Sequence, residues 1–240
     1  MDYRKFIEDC DAILDAGKTG EHYKYTSGEH GGIYIEKSRL LKNPIIASKL
    51  ASELTQKICE YGPNGIIKVT DTSTIVPVKD IDIFLGAMTG GVKFANYVAL
   101  SYIYILINSA FYDPYKEIMC IEAKKQKPYV HCNAGEYGGE REVVESHFIL
   151  TKDHKADIKD KKVFIIEDII NTGYTISGLA DLVVINGGEI AGVGAIWNRG
   201  GIKITKPFYC LVNEKLESWN EKDCPFCKKG IPLSKTYGYG

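Results

Sequence analysis

The sequence predicts an α/β fold, a central, mainly parallel sheet with helices on both faces. Three observations carry that expectation. From residue 81 to residue 212, short apolar runs rich in β-branched residues alternate with helical stretches, the order that strand–helix–strand units impose. Two of the runs end in loops of small residues that open a helix, at residues 86–91 and 171–175. The composition, 45% hydrophobic and 25% charged over 240 residues, is that of a globular chain, and a chain of this size buries roughly 70–75% of its unfolded surface.

Residues 2–16 place Phe6, Ile7, Cys10, Ile13 and Leu14 on a helical stripe that Gly17 ends. Two extended pieces follow, residues 23–26 and 33–36, joined by the turn-rich Ser27-Gly-Glu-His-Gly-Gly. Pro44 opens a second helix running to residue 60. Residues 81–85 read as a buried strand, 86–91 as a loop, 92–107 as a buried helix and 117–122 as another strand. Residues 124–141 are polar and glycine-containing, and the stretch is long enough for a mobile loop. A third buried strand covers 163–166, and a helix over 175–186 is closed by Gly187-Gly188. Runs at 190–197 and 208–212 complete the sheet. The mixed-charge run 152–162 reads as a solvated connection. No repeat or low-complexity tract interrupts the chain, which predicts one domain over 1–212 and a C-terminal appendage over 213–240.

Thirty basic and thirty-one acidic residues nearly cancel, which excludes a generally basic nucleic-acid coat and an acidic disordered tail. Residues 94–112 carry no charge but hold Asn96, Ser101, Asn108, Ser109 and several tyrosines, so a buried helix is expected rather than a membrane span. The start lacks the apolar stretch of a secretory signal, and the seven cysteines are an odd, scattered set. Reduced thiols in a cytoplasmic protein are the expectation.

The strongest chemical signal is Val163-Phe-Ile-Ile-Glu-Asp-Ile-Ile-Asn-Thr-Gly-Tyr-Thr175. A buried strand delivers two adjacent carboxylates, Glu167 and Asp168, and a small-residue loop then opens a helix. Amides at a helix N-terminus, with the hydroxyls of Thr172 and Thr175, can hold a phosphate. Gly173 removes a Cβ where the backbone must approach the anion. The two carboxylates would repel that phosphate, whereas a ribose diol supplies donors they can accept. The whole element suits a phosphorylated sugar.

This stretch resembles the signature of the type I phosphoribosyltransferases: four apolar residues, two acids, two variable residues, then Thr-Thr-Gly-x-Thr. Asn171 stands in place of the first threonine. The resemblance extends along residues 20–212. The segment from His22 to Lys37 is similar to the N-terminal hood hairpin (residues 17–40 here) of the orotate phosphoribosyltransferase branch, which places Lys37 among the substrate-binding residues. Gly86-Ala-Met-Thr-Gly-Gly91 sits where the family has its pyrophosphate loop, often with a non-proline cis peptide. That resemblance assigns Thr89, Gly90 and Gly91 to the leaving group. Residues 124–141 resemble the family's flexible catalytic loop, with Lys124 in place of an arginine, Lys125 and Lys127 in the lysine roles, and Tyr129 or His131 in the histidine place. Arg199 falls where orotate enzymes have a base-contacting arginine, and Asn171 where they place a base-contacting threonine.

The resemblance implies the type I phosphoribosyltransferase fold and transfer of a 5-phosphoribosyl group from phosphoribosyl pyrophosphate to a nitrogenous base, most closely orotate. It implies Mg²⁺ held through substrate oxygens, Glu167, Asp168, Asn171, Thr172, Gly173, Tyr174 and Thr175 around the sugar phosphate, and a homodimer sharing a loop lysine. Lys124, Asn171 and Thr26, which stands where the hood lysine is expected, leave a purine or another base open. A regulator that senses ribosyl phosphates also uses this fold, though the near-neutral charge and the lack of a DNA-binding helix pair speak against nucleic acid.

Cys224-Pro-Phe-Cys227 lies in the appendage. A Cys-x-x-Cys knuckle supplies two of the four ligands of a structural zinc ion. Cys210, Cys132, His131 or a partner chain are the sequence's candidates to complete it.

Overall fold

The computed structural model describes residues 1–25, 27–60, 81–109, 113–125, 129–132, 141–144, 148–200 and 203–238. The chain opens with α1 (Tyr3–Asp9), capped by Asp2, whose carboxylate accepts the Lys5 amide at 3.0 Å. The helix ends at Cys10 because Asp11 takes φ 55°, a left-handed conformation that a right-handed helix cannot continue through. The single helix expected over residues 2–16 is therefore corrected: Ile13–Asp15 form a strand, β1. Two adjacent apolar residues, Ile13 and Leu14, are too short a run to separate a period of 3.6 from a period of 2.

A four-residue helix, α2 (Ala16–Thr19), leads to an antiparallel pair, β2 (Tyr23–Lys24) and β3 (His30–Gly31). The next strand, β4 (Ile33–Ile35), pairs with β1. The two extended pieces read from the sequence thus have separate partners. Helix α3 (Lys37–Leu41) follows, then α4 (Pro44–Glu60), which buries Leu50, Leu54 and Ile58 completely.

The sheet begins with β5 (Ile83–Ala87), followed by α5 (Gly90–Ile107) and β6 (Met119–Lys125). By length and composition α5 is apolar enough to cross a membrane. Phe94, Ala95, Val98 and Tyr102 are nevertheless wholly buried in the protein core, as expected for a core helix. The expected loop over 124–141 is partly regular. Lys124 and Lys125 extend β6 and pair with β9 (Phe148–Ile149), and between them β7 (Tyr129–Cys132) and β8 (Arg141–Val144) form an antiparallel pair. The charged run 152–162 contains a helix, α6 (Lys152–Ile158), rather than being only a solvated connection; Ile158, its one aliphatic side chain beyond alanine, is fully buried and anchors it.

The remaining elements are β10 (Lys162–Ile170), α7 (Tyr174–Ile185), β11 (Glu189–Asn198), β12 (Phe208–Asn213) and a one-turn helix, α8 (Pro225–Lys228). Strand order in the six-stranded sheet is β12-β11-β10-β5-β6-β9, parallel throughout except for β9 at the edge. Alternation along β10 sends Phe164 and Ile166 to one apolar core and Val163 and Ile165 to the other. The chain moves from β5 to β6 on one side, then returns to lay β10 on the other side of β5 and continues outward. That reversal opens a crevice beyond the carboxyl ends of β5 and β10, where such sheets bind ligands.

Candidate functional site

Strand β10 pairs with β5 from Val163 to Ile166, and with β11 on to Ile170. It therefore outruns β5 by several residues and carries Glu167 and Asp168 into the crevice. Both are buried, 7% and 2% exposed. Each side chain is fixed by the next peptide: the Asp168 amide donates to Oε1 of Glu167 at 3.0 Å, and the Ile169 amide to Oδ1 of Asp168 at 2.7 Å. Oδ2 of Asp168 lies 2.9 Å from Nζ of Lys37, the first residue of α3. The approach makes an ion pair without hydrogen-bond alignment, so Oδ2 has no hydrogen-bond partner among the described residues. Burial and the neighbouring Asp168 carboxylate push the Glu167 carboxyl well above the usual range.

Across from the acids runs the loop after β5, with a cis Met88–Thr89 peptide bond, the peptide type the family resemblance implies there. Gly90 presses against Asp168, and a Cβ there would collide with Oδ2. Gly91 backs Glu167, where a Cβ would stand 3.2 Å from Oε1. Past β10, Gly173 takes φ 80° to turn the chain into α7, whose first turn carries no acidic residue. One cavity of about 430 Å³ joins these parts. Lys37, Lys125, Met88, Gly90, Glu167, Asp168 and the run Asn171–Thr172–Gly173–Tyr174–Thr175 all line it. Amide donors at the end of α7, hydroxyls, two ammonium groups and a buried acid pair equip it to hold an anionic, hydroxyl-rich ligand.

The sequence-predicted residues divide as follows. Thr89 and Gly91 flank the wall of the cavity without lining it. Lys124 and Lys125 are neighbours on β6, so they point to opposite faces, and only Lys125 reaches the cavity. Lys127, Thr26 and the side chain of His131 lie outside the described residues. Arg199 is not on the wall. It is 7% exposed and stacks on Tyr25, with Cζ 3.7 Å from the ring centroid, and its Nε has no hydrogen-bond partner among the described residues. Burial pulls its guanidinium pKa below the ordinary value. Sequence reasoning missed Phe148 and Ser27, which also line the cavity, and Tyr25, which supports Arg199. Ser27 lies within the hood segment and was legible there; Phe148 arrives from the edge strand without a local signal.

Of the ligands expected beside Cys224 and Cys227, Cys210 is the one the structure places elsewhere. The cysteines meet His22 and His30 of the hood. Cys132 and His131 have no described side chains.

Comparison with known proteins gives three kinds of likeness. The family model described as "Phosphoribosyl transferase domain" matches residues 78–227. A curated orotate phosphoribosyltransferase of Campylobacter concisus is 25% identical over 259 residues, covering 100% of each chain. One from Carboxydothermus hydrogenoformans is 26% identical over 237 residues, covering 98% of this chain and 96% of that protein. Among solved structures, adenine phosphoribosyltransferase from Saccharomyces cerevisiae superposes with a TM-score of 0.53 at 18% identity, over 87% of this chain and 98% of that one. Orotate phosphoribosyltransferase from Mycobacterium tuberculosis gives 0.51 at 12% identity, over 88% and 96%. At those identities the structural likeness speaks for the fold.

Proposed function

We propose, because the chain belongs to the phosphoribosyl transferase family and has its type I fold, that it transfers the 5-phosphoribosyl group of phosphoribosyl pyrophosphate to orotate. By family it is a pentosyltransferase. The observation that carries the reading is the cavity in which a buried acid pair stands between two anion cradles, the turn into α7 and the loop after β5.

In this reading the 5-phosphate rests on the amides and hydroxyls of Thr172, Gly173, Tyr174 and Thr175. The ribose diol donates to Asp168, and Glu167, whose carboxyl is pushed above the usual range, stands beside it. The pyrophosphate lies along Met88–Gly90 with Lys125. During transfer the bond between the anomeric carbon and the pyrophosphate oxygen breaks and a bond to a ring nitrogen of the base forms. The proton that nitrogen carried leaves to pyrophosphate or solvent. Positive charge on the ribose in the transition state is stabilised by the Asp168 carboxylate, and negative charge on the leaving group by Lys125 and the loop amides.

The family implies Mg²⁺. A hard cation that takes oxygen ligands and keeps waters fits the donor set, since Glu167 and Asp168 offer carboxyl oxygens on the wall and the substrate phosphates supply the remainder. When bound, the ion offsets the charge of the pyrophosphate.

Full-length relatives named orotate phosphoribosyltransferase, at about a quarter identity, support the choice of base. So does Asn171 on the cavity wall, which offers a donor and an acceptor; Arg199, in the base-contacting position of the family, stacks on Tyr25 away from that wall. We extend the reading to a homodimer that shares one loop lysine across its interface. A fully active monomer in sedimentation would exclude that arrangement. The test of base choice is pyrophosphate release from phosphoribosyl pyrophosphate and Mg²⁺ with orotate, uracil, adenine, hypoxanthine, guanine, xanthine and nicotinate supplied separately. Release with orotate alone is expected, and release with a purine alone would overturn the choice.

A further inference from the structure

Four side chains that the transfer chemistry does not use meet where the C-terminal segment crosses the hood. Nε2 of His22 is 3.3 Å from Nδ1 of His30, and each nitrogen is 3.3 Å from Sγ of Cys227. With Cys224 included, all four ligand atoms lie within 4.8 Å of one another. A tetrahedral zinc ion with bonds of about 2.0–2.1 Å to nitrogen and about 2.3 Å to sulphur has N–N edges of about 3.3–3.4 Å and N–S edges of about 3.5–3.6 Å. The three separations of 3.3 Å are already close to those edges.

The surroundings are those of a closed site. His22 and His30 are 1% exposed and Cys224 is 0% exposed. Nδ1 of His22 lies 3.0 Å from the carbonyl oxygen of Pro232. That carbonyl can only accept, so Nδ1 carries the hydrogen and the Nε2 lone pair is turned toward the cluster, the outer hydrogen bond that ligating histidines make. Phe226, inside the knuckle, stacks on His22 and meets Trp219 edge-on, screening the group with apolar surface. The backbone is clamped on both sides: the amides of His22 and Ser234 donate to Pro232 and His22, and His30 and Trp219 exchange two hydrogen bonds of 2.7 and 2.9 Å.

We propose that His22, His30, Cys224 and Cys227 form a structural zinc site that fastens the C-terminal segment to the hood. Four protein ligands leave no open position, so the ion supplies folding energy and no catalysis. The clasp holds the hairpin next to Tyr25, on which Arg199 stacks, and Ser27, which lines the cavity. The proposal stands independently of the transferase reading.

The test is metal analysis of protein made without a polyhistidine tag, in zinc-supplemented medium, and purified without chelator. About one zinc per chain is expected, falling below about a tenth in Cys224→Ser and in His30→Gln. To separate loss of metal from loss of fold, the wild-type chain is also stripped and given one equivalent of Co²⁺. Intense tetrahedral d–d bands with thiolate charge-transfer bands are expected. Less than about half an equivalent of zinc in the wild type, a pale octahedral cobalt spectrum, or a Cys224–Cys227 disulfide in freshly purified protein would each overturn the proposal.

Discussion

Nζ of Lys37 sits 2.9 Å from Oδ2 of Asp168, so a half-exposed lysine from the start of α3 reaches a buried carboxylate at the end of β10. This contact joins the hood to the acid pair, two parts that are 131 residues apart in sequence (168 minus 37). It sets a positive charge against Asp168, beside a Glu167 carboxyl that burial pushes well above the usual range. If Asp168 stabilises the ribosyl cation, Asp168→Asn should lower kcat/KM by about 10²–10³-fold, the effect of deleting one preorganised electrostatic group. The unfolding midpoint should stay near wild type. Steady-state kinetics equal to wild type would remove Asp168 from the mechanism.

Gly90 is placed to fail on substitution. Its missing Cβ is the space that Oδ2 of Asp168 occupies, so Gly90→Ala must push the carboxylate or the loop out of position. The expected outcome is a loss of about 10²-fold in kcat/KM, as follows a displacement of roughly 1 Å at a reacting centre. A Gly90→Ala enzyme with wild-type affinity for phosphoribosyl pyrophosphate, measured by calorimetry, would show that the loop tolerates the methyl group.

Lys124 and Lys125 provide an internal control. Both are exposed and adjacent, but only Lys125 lines the cavity. Lys125→Ala should raise KM for phosphoribosyl pyrophosphate by about tenfold or more, the loss of one charge-assisted contact to phosphate. Lys124→Ala should change it less than about twofold, as a surface substitution away from the site. Equal losses in the two variants would contradict the strand's alternation as the selector.

Glu167 should make stability fall with rising pH. In the folded chain its proton is held well above the ordinary carboxyl value of 4.5. Below that value both states are protonated and no penalty exists. Above it the unfolded chain releases the proton first, so stability declines by about 1.4 kcal/mol per pH unit until the folded group also titrates. Glu167→Gln should remove this slope, so the variant gains on the wild type as pH rises. Urea unfolding across a pH series measures it, and parallel curves for the two proteins would contradict the assignment.

The sequence carried the main sheet because each buried strand is a continuous apolar run bounded by turns, and the acid pair with its glycine turn is a contiguous segment whose geometry is local. Interactions between distant segments were not legible in that way. The three-residue strand β1 was hidden inside a helical stripe because Asp11, not a glycine or proline, breaks the helix with a positive φ. Helix α6 was hidden by its charges, with Ile158 alone holding it to the core. The lysine pair on β6 could be sorted only once the strand was known to continue through Lys125. The Cys-x-x-Cys knuckle announced two ligands, but His22 and His30 were read only as hood residues. Nothing local reports that the C-terminal segment returns to the hood, 197 residues after His30.

The most direct test of the central claim is to incubate the protein with phosphoribosyl pyrophosphate, Mg²⁺ and orotate, and to quantify pyrophosphate and orotidine 5′-phosphate in the same samples. The account predicts that the two products form in equal amounts, and that neither accumulates when orotate is omitted. Pyrophosphate without orotidine 5′-phosphate, or no product from folded protein that binds phosphoribosyl pyrophosphate, would contradict it.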